Sequence, residues 1–199
     1  MPLTLLRSCA AALLLAAPLC ASETVTREQA LDAVRVFDAN ALGNLTGTAT
    51  PQQASDAVAK ASNTLLRFAL DSDDVVVDLG MDSVPWCDVK RGIADMTHSG
   101  ERGLLLAAYL SGSVKSQLQS GRRDPNPYAG WTAMLRVYRA MKVREDVAVP
   151  EAEVLLAKQR DGTLEAFAAE ALNRSKDKLS RAYGPGAQST PQTAVTSVP

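Results

Sequence analysis

Helix starts punctuate this chain, and each opens a segment whose apolar residues fall on one side. Thr26-Arg27-Glu28-Gln29 has the spacing of a capping box, in which the threonine hydroxyl accepts an orphan amide and Gln29 reaches back to the cap. Thr50 can cap a second helix, Pro51 suits a first helical position where no amide bond is lost, and Gln53 completes another box. Asn126-Pro127 repeats the cap-then-proline arrangement farther along. Behind these starts, Ala30, Val34, Phe37 and Ala41 form one stripe, with Asp32, Arg35 and Asp38 outside it, until Gly43-Asn44 stops the run. Ala54, Val58, Ala61, Leu65 and Phe68 form a second stripe that ends near Asp71. Segments of this kind gain stability by burying their stripes against one another, so the predicted fold is all-α, a single-domain bundle of about six helices.

The segment from Glu101 to Ser120 is the most apolar, with Leu104, Leu105, Leu106 and Leu110 leaving almost no polar side in its first half, which places it in the middle of the bundle. Ala107, Ala108, Ser111, Gly112 and Ser113 are small enough to let neighbouring helices approach closely, and Gly121 stands where a left-handed cap is expected. The helix opened by Asn126 carries Tyr128, Trp131, Leu135 and Tyr138 as an aromatic-rich stripe. Its Arg136, Arg139 and Lys142 lie largely elsewhere and read as a solvated face. Pro150 to Arg160, closed by Asp161-Gly162, and Leu164 to about Arg181, with Phe167, Ala168, Ala171 and Leu172 inward, read as a helical hairpin. Between the helices, Val75-Val76-Val77 favours an extended chain. Residues 75–79 could form one short β segment, for which Val147-Ala148-Val149 is the available partner. Residues 80–99 read as an irregular connection, and no repeat at a fixed period appears.

The N-terminus has the layout of a secretory leader. Arg7 precedes an apolar run from Cys9 to Leu19, with small residues around Ala21, so residues 1–21 are expected to be a signal peptide cut after Ala21, with Ser22 the near alternative. The run is shorter than the roughly 20 residues of a membrane-crossing helix, and no transmembrane span is expected in the mature chain. Lipidation at Cys20 is disfavoured, because Ala17 and Leu19 stand where such signals place an aliphatic and a small residue. The helical domain is then 22–182. Residues 183–199, uncharged and with little to bury, read as a disordered tail. The product is expected outside the cytoplasm, periplasmic in a bacterium and otherwise secreted. The chain has 21 basic and 22 acidic side chains, and loss of Arg7 leaves a formal charge of −2, which gives no electrostatic reason to expect nucleic acid as partner.

Trimming also leaves Cys87 as the lone cysteine, so no internal disulfide can form; its simplest role is a small core side chain, with intermolecular pairing the alternative. Together with His98, the only histidine, it could supply a nucleophile and base, which makes a hydrolase using Cys87 and His98 the alternative reading. Structural zinc would need more ligands than these two. Asp71, Ser72, Asp73, Asp74 and Asp78 suggest calcium, but the calcium-loop pattern requires glycine where Val76 stands. Glycine-rich phosphate and dinucleotide loops are absent, and the sequons at Asn44 and Asn173 are too short a pattern to carry weight. No cofactor is expected. The residues singled out are a candidate interaction surface of Val84, Pro85 and Trp86, joined by Tyr128 at the head of the aromatic helix, since Trp and Tyr are enriched at binding hot spots. Trp131 and Tyr138, at helical spacing, are expected to fill the core instead. The functional expectation is an exported, non-catalytic protein acting through protein contacts or as an envelope accessory. A carrier of a small apolar ligand is a further alternative.

Overall fold

The structure, a computed structural model, describes residues 24–45, 51–87, 99–145 and 147–183. The expected leader and its cleavage site, the Thr50 cap, His98, the second half of the long connection and the tail beyond Tyr183 lie outside the described residues. Six α-helices are described: α1 (Arg27–Leu45), α2 (Pro51–Asp71), α3 (Ser99–Ser120), α4 (Pro127–Glu145), α5 (Pro150–Arg160) and α6 (Leu164–Tyr183), with one 3-10 turn at Pro85–Cys87. The all-α bundle read from the sequence is the observed fold, and no described helix is long and apolar enough to cross a membrane.

Local chemistry sets the helix ends. At α1 the capping box forms reciprocally: the Gln29 amide donates to Thr26 Oγ1 at 3.2 Å, and the Thr26 amide donates to Gln29 Oε1 at 2.8 Å. At α4 the Ala129 amide donates to Asn126 Oδ1 at 3.2 Å. α3 closes at Gly121, whose φ of 67° strains any residue with a Cβ and whose amide returns to the Gln117 carbonyl at 2.9 Å.

α1 pairs with α2, α3 pairs with α4, and α3 also lies against both α1 and α2. α5 and α6 cover the far side of α4. Phe37, Leu65, Phe68, Leu105, Leu110, Trp131, Leu135 and Tyr138 meet in one core. The α3–α4 crossing is close enough to need glycine on both sides. A Cβ on Gly112 would fall 2.6 Å from the Ala129 carbonyl oxygen, and one on Gly130 would fall 2.4 Å from the Tyr109 ring. The small residues of α3 therefore do what their size implied. In the last helix Ala168 and Ala171 are buried, whereas Phe167 and Leu172 are only half-buried.

The β segment is corrected. Residues 75–79 belong to no strand, and a side chain on α3 takes the place of a partner strand. Gln117 is buried; its Oε1 accepts from the Val76 amide and its Nε2 donates to the Val76 carbonyl, both at 2.9 Å. A primary amide carries the same donor and acceptor as a peptide unit, so one glutamine completes the pairing that an extended residue needs. Val149, the expected partner, sends its amide to the Tyr138 hydroxyl at 3.1 Å.

Candidate functional site

The connection after α2 is bound to the bundle through a chain of hydrogen bonds. Asp78 organises it from within: Oδ1 accepts from the Gly80 amide at 2.8 Å and Oδ2 from the Ser83 hydroxyl at 2.7 Å. The Tyr109 hydroxyl donates to the Asp78 carbonyl at 2.9 Å, and the Trp131 indole donates to the Ser83 carbonyl at 2.7 Å. Arg102 donates to the Trp86 carbonyl, and the Trp86 ring stands edge-on to Tyr109 at 5.9 Å. From α6, Arg174 and Lys178 both reach Asp82. Burial would raise the Asp82 carboxyl, but hydrogen bonds from Lys178 and Arg174 outweigh it and hold the group below the usual carboxylate range.

This anchoring corrects the expected interaction surface. Val84 and Trp86 are 2% and 0% exposed, and Pro85 is half-buried between them, so the apolar cluster is a plug in the bundle. The physical reason lies in the two ring donors of α3 and α4: Tyr109 and Trp131 hold the backbone on either side of Asp82, and the neighbouring side chains are thereby drawn inward. Of the proposed set only Tyr128, 39% exposed, faces solvent. Trp131 and Tyr138 fill the core.

Cys87 follows the plug and is half-buried. Burial pushes its thiol up to about 11, with the charge of Arg102 pulling only partly the other way. At neutral pH the group is protonated, and the thiol is a far weaker nucleophile than the thiolate. His98 lies outside the described residues, so the geometry of the pair is not on view.

A different set of residues forms a site near Tyr128. Asp38 on α1 meets three donors from two other helices: Arg136 Nη2 of α4 at 2.9 Å, Lys115 Nζ of α3 at 3.3 Å and the Ser111 hydroxyl of α3 at 3.5 Å. The helix registers explain the meeting. Asp38 follows the buried Phe37, Arg136 follows the buried Leu135, and Ser111 and Lys115 are one turn apart on one face of α3. Each charge thus stands at the edge of a stripe where the helices come together. The side chains of Asp38, Lys115 and Arg136 are 22%, 42% and 49% exposed.

Two grooves meet at this ion cluster and share Asp38, Lys115, Gln119 and Arg136. One, of about 440 Å³, is walled by Ser116, Asn126, Thr132 and the Tyr128 ring. The other, of about 650 Å³, runs over the apolar Leu31, Val34 and Leu42. Arg136 had the appearance of a solvated charge in the sequence, and Asp38 and Lys115 carried no signal of their own. Their one legible trait was a position beside a buried stripe. Compared with protein-family models, with curated proteins and with solved structures, the chain matches none.

Proposed function

We propose that this protein is exported and acts without catalysis of its own, by holding a protein partner at the groove between α1, α3 and α4. The observation that carries the reading is Tyr128: an aromatic ring, exposed beside an open, charged groove, on a helix whose other large aromatics are buried. Rings so placed bury much surface at little entropic cost, which is why they anchor interfaces. Export is supported by the leader-like residues 1–21 and implies a mature chain starting at Ser22. The hydrolase alternative draws no support from Cys87, whose thiol is held protonated at neutral pH.

The test uses mature protein carrying a photo-crosslinking side chain at the exposed Thr132 position, mixed with envelope extract of the producing cell. A discrete adduct that disappears with Tyr128→Ala is the expected result. No adduct, together with cleavage of a peptide or ester substrate that is lost on Cys87→Ser, would overturn the reading in favour of a hydrolase. Marked thermal stabilisation by lipids, with no adduct, would overturn it in favour of a ligand carrier.

A further inference from the structure

The ionic groove is unbalanced, and the imbalance defines what it can hold. Lys115 and Arg136 bring two positive charges to Asp38, which returns one negative charge, and both cations keep a substantial part of their surface in solvent. One positive charge is therefore uncompensated among the described residues shared by the two grooves. Arg35, farther along the apolar groove, does not alter the balance, because it is paired with Asp32 at 3.3 Å. Lys115 and Arg136 approach the same carboxylate from α3 and α4, so a second carboxylate placed across from Asp38 would meet donors from both and complete an alternating arrangement of two cations and two anions.

The surroundings narrow the class further. Immediately beside the cations, Leu31 and Leu42 are only partly buried and line the apolar trough. On the other side the smaller groove, which carries Ser116, Asn126 and Thr132, leads to Tyr128. Both troughs are open along the surface, so a chain can lie across the cluster.

Building on the protein-contact reading above, we infer that this groove takes an acidic segment of the partner polypeptide, with one carboxylate seated on Lys115 and Arg136 and a neighbouring apolar side chain in the Leu31–Leu42 trough. Charge complementarity selects the acid; the apolar floor selects a side chain next to it. Asp38 has two roles in this arrangement: it holds the cations in place, and it competes with the incoming carboxylate.

The probe is a short, end-capped fluorescent peptide alternating glutamate and leucine, compared with its glutamine–leucine counterpart by anisotropy on the whole mature protein. The acidic peptide should bind about tenfold more tightly, and its advantage should shrink as salt is added. Arg136→Gln should abolish that advantage, and Asp38→Asn should strengthen acidic-peptide binding about threefold. Arg160→Gln, on α5 and lining neither groove, should change nothing. Helical circular dichroism confirms that each variant folds, and Lys115→Gln replaces Arg136→Gln if it does not. Equal binding of the two peptides, no binding of either, weaker binding to Asp38→Asn, or equal displacement by laurate would overturn the inference. Should the Thr132 adduct survive such a result, only the ligand class falls; if the adduct is missing as well, the protein-contact reading falls with it.

Discussion

The plug at residues 78–87 and the groove around Asp38 are built from similar materials: an aspartate, hydroxyl groups and long cations from distant helices. In the plug, Asp78 accepts from Gly80 and Ser83, while Tyr109 and Trp131 hold the Asp78 and Ser83 carbonyls on the chain leading to the buried Val84 and Trp86. In the groove, Asp38 receives Lys115 and Arg136, which stay about half in water. The difference lies in the donors. In the plug, neutral ring donors on buried aromatics bind two backbone carbonyls and follow the chain into the core at little desolvation cost, whereas Asp38 in the groove is met by two cations that stay partly in water. Similar hydrogen-bonding groups thus give a fixed part of the core in one place and an accessible surface in the other.

Removing the plug's anchor should have the largest effect. Trp86→Ala empties a site with no solvent exposure and should destabilise the fold by about 3–5 kcal/mol, read from urea denaturation. A loss as small as that of an ordinary surface substitution would mean that the plug is dispensable. Gln117→Leu comes next, because it keeps the volume but leaves the Val76 amide and carbonyl without their partner; a cost of about 2 kcal/mol is expected in the same measurement. Arg136→Gln should cost no more than about 1 kcal/mol while removing the acidic peptide's advantage, which separates groove from plug most directly. A large loss of stability there would make the groove a structural feature like the plug.

The smallest effect is a pH dependence. Asp82 has a folded-state pKa below its ordinary value of 3.8, so the stability it contributes is complete above that value and is lost as pH falls through the lower, folded value. Its partners Arg174 and Lys178 are 45% and 64% exposed, so solvent screening limits the contribution to about 0.5 kcal/mol. Asp82→Asn should flatten the acid end of the stability curve by that amount. An unchanged curve would detach α6 from the plug's energetics.

What the sequence disclosed was mostly local. The Thr26–Gln29 box and the Asn126 cap form within a single turn, so their spacing carries the whole of the information. Gly112 announced a close helix crossing because its small size has few other uses in a helix interior. The contacts that shape the plug and the groove depend on how the helices pack. Gln117 meets Val76 across 41 positions and Arg136 meets Asp38 across 98, and no local periodicity encodes either meeting. The burial of Trp86 escapes the sequence for the same reason. Outside a helix it shows no periodic sign of burial, and its placement depends on donors at Tyr109 and Trp131 that are invisible until the bundle closes.

The Gln117 contact also bears on how the protein behaves in a crowd. Three consecutive valines form a run prone to recruit strands from other chains, and an unpaired edge there is a template for aggregation. By occupying both backbone groups of Val76, α3 removes the middle pairing position from that template. The bundle thereby closes one edge of a strand-like stretch to pairing with another chain without a sheet, using the side chain of one glutamine.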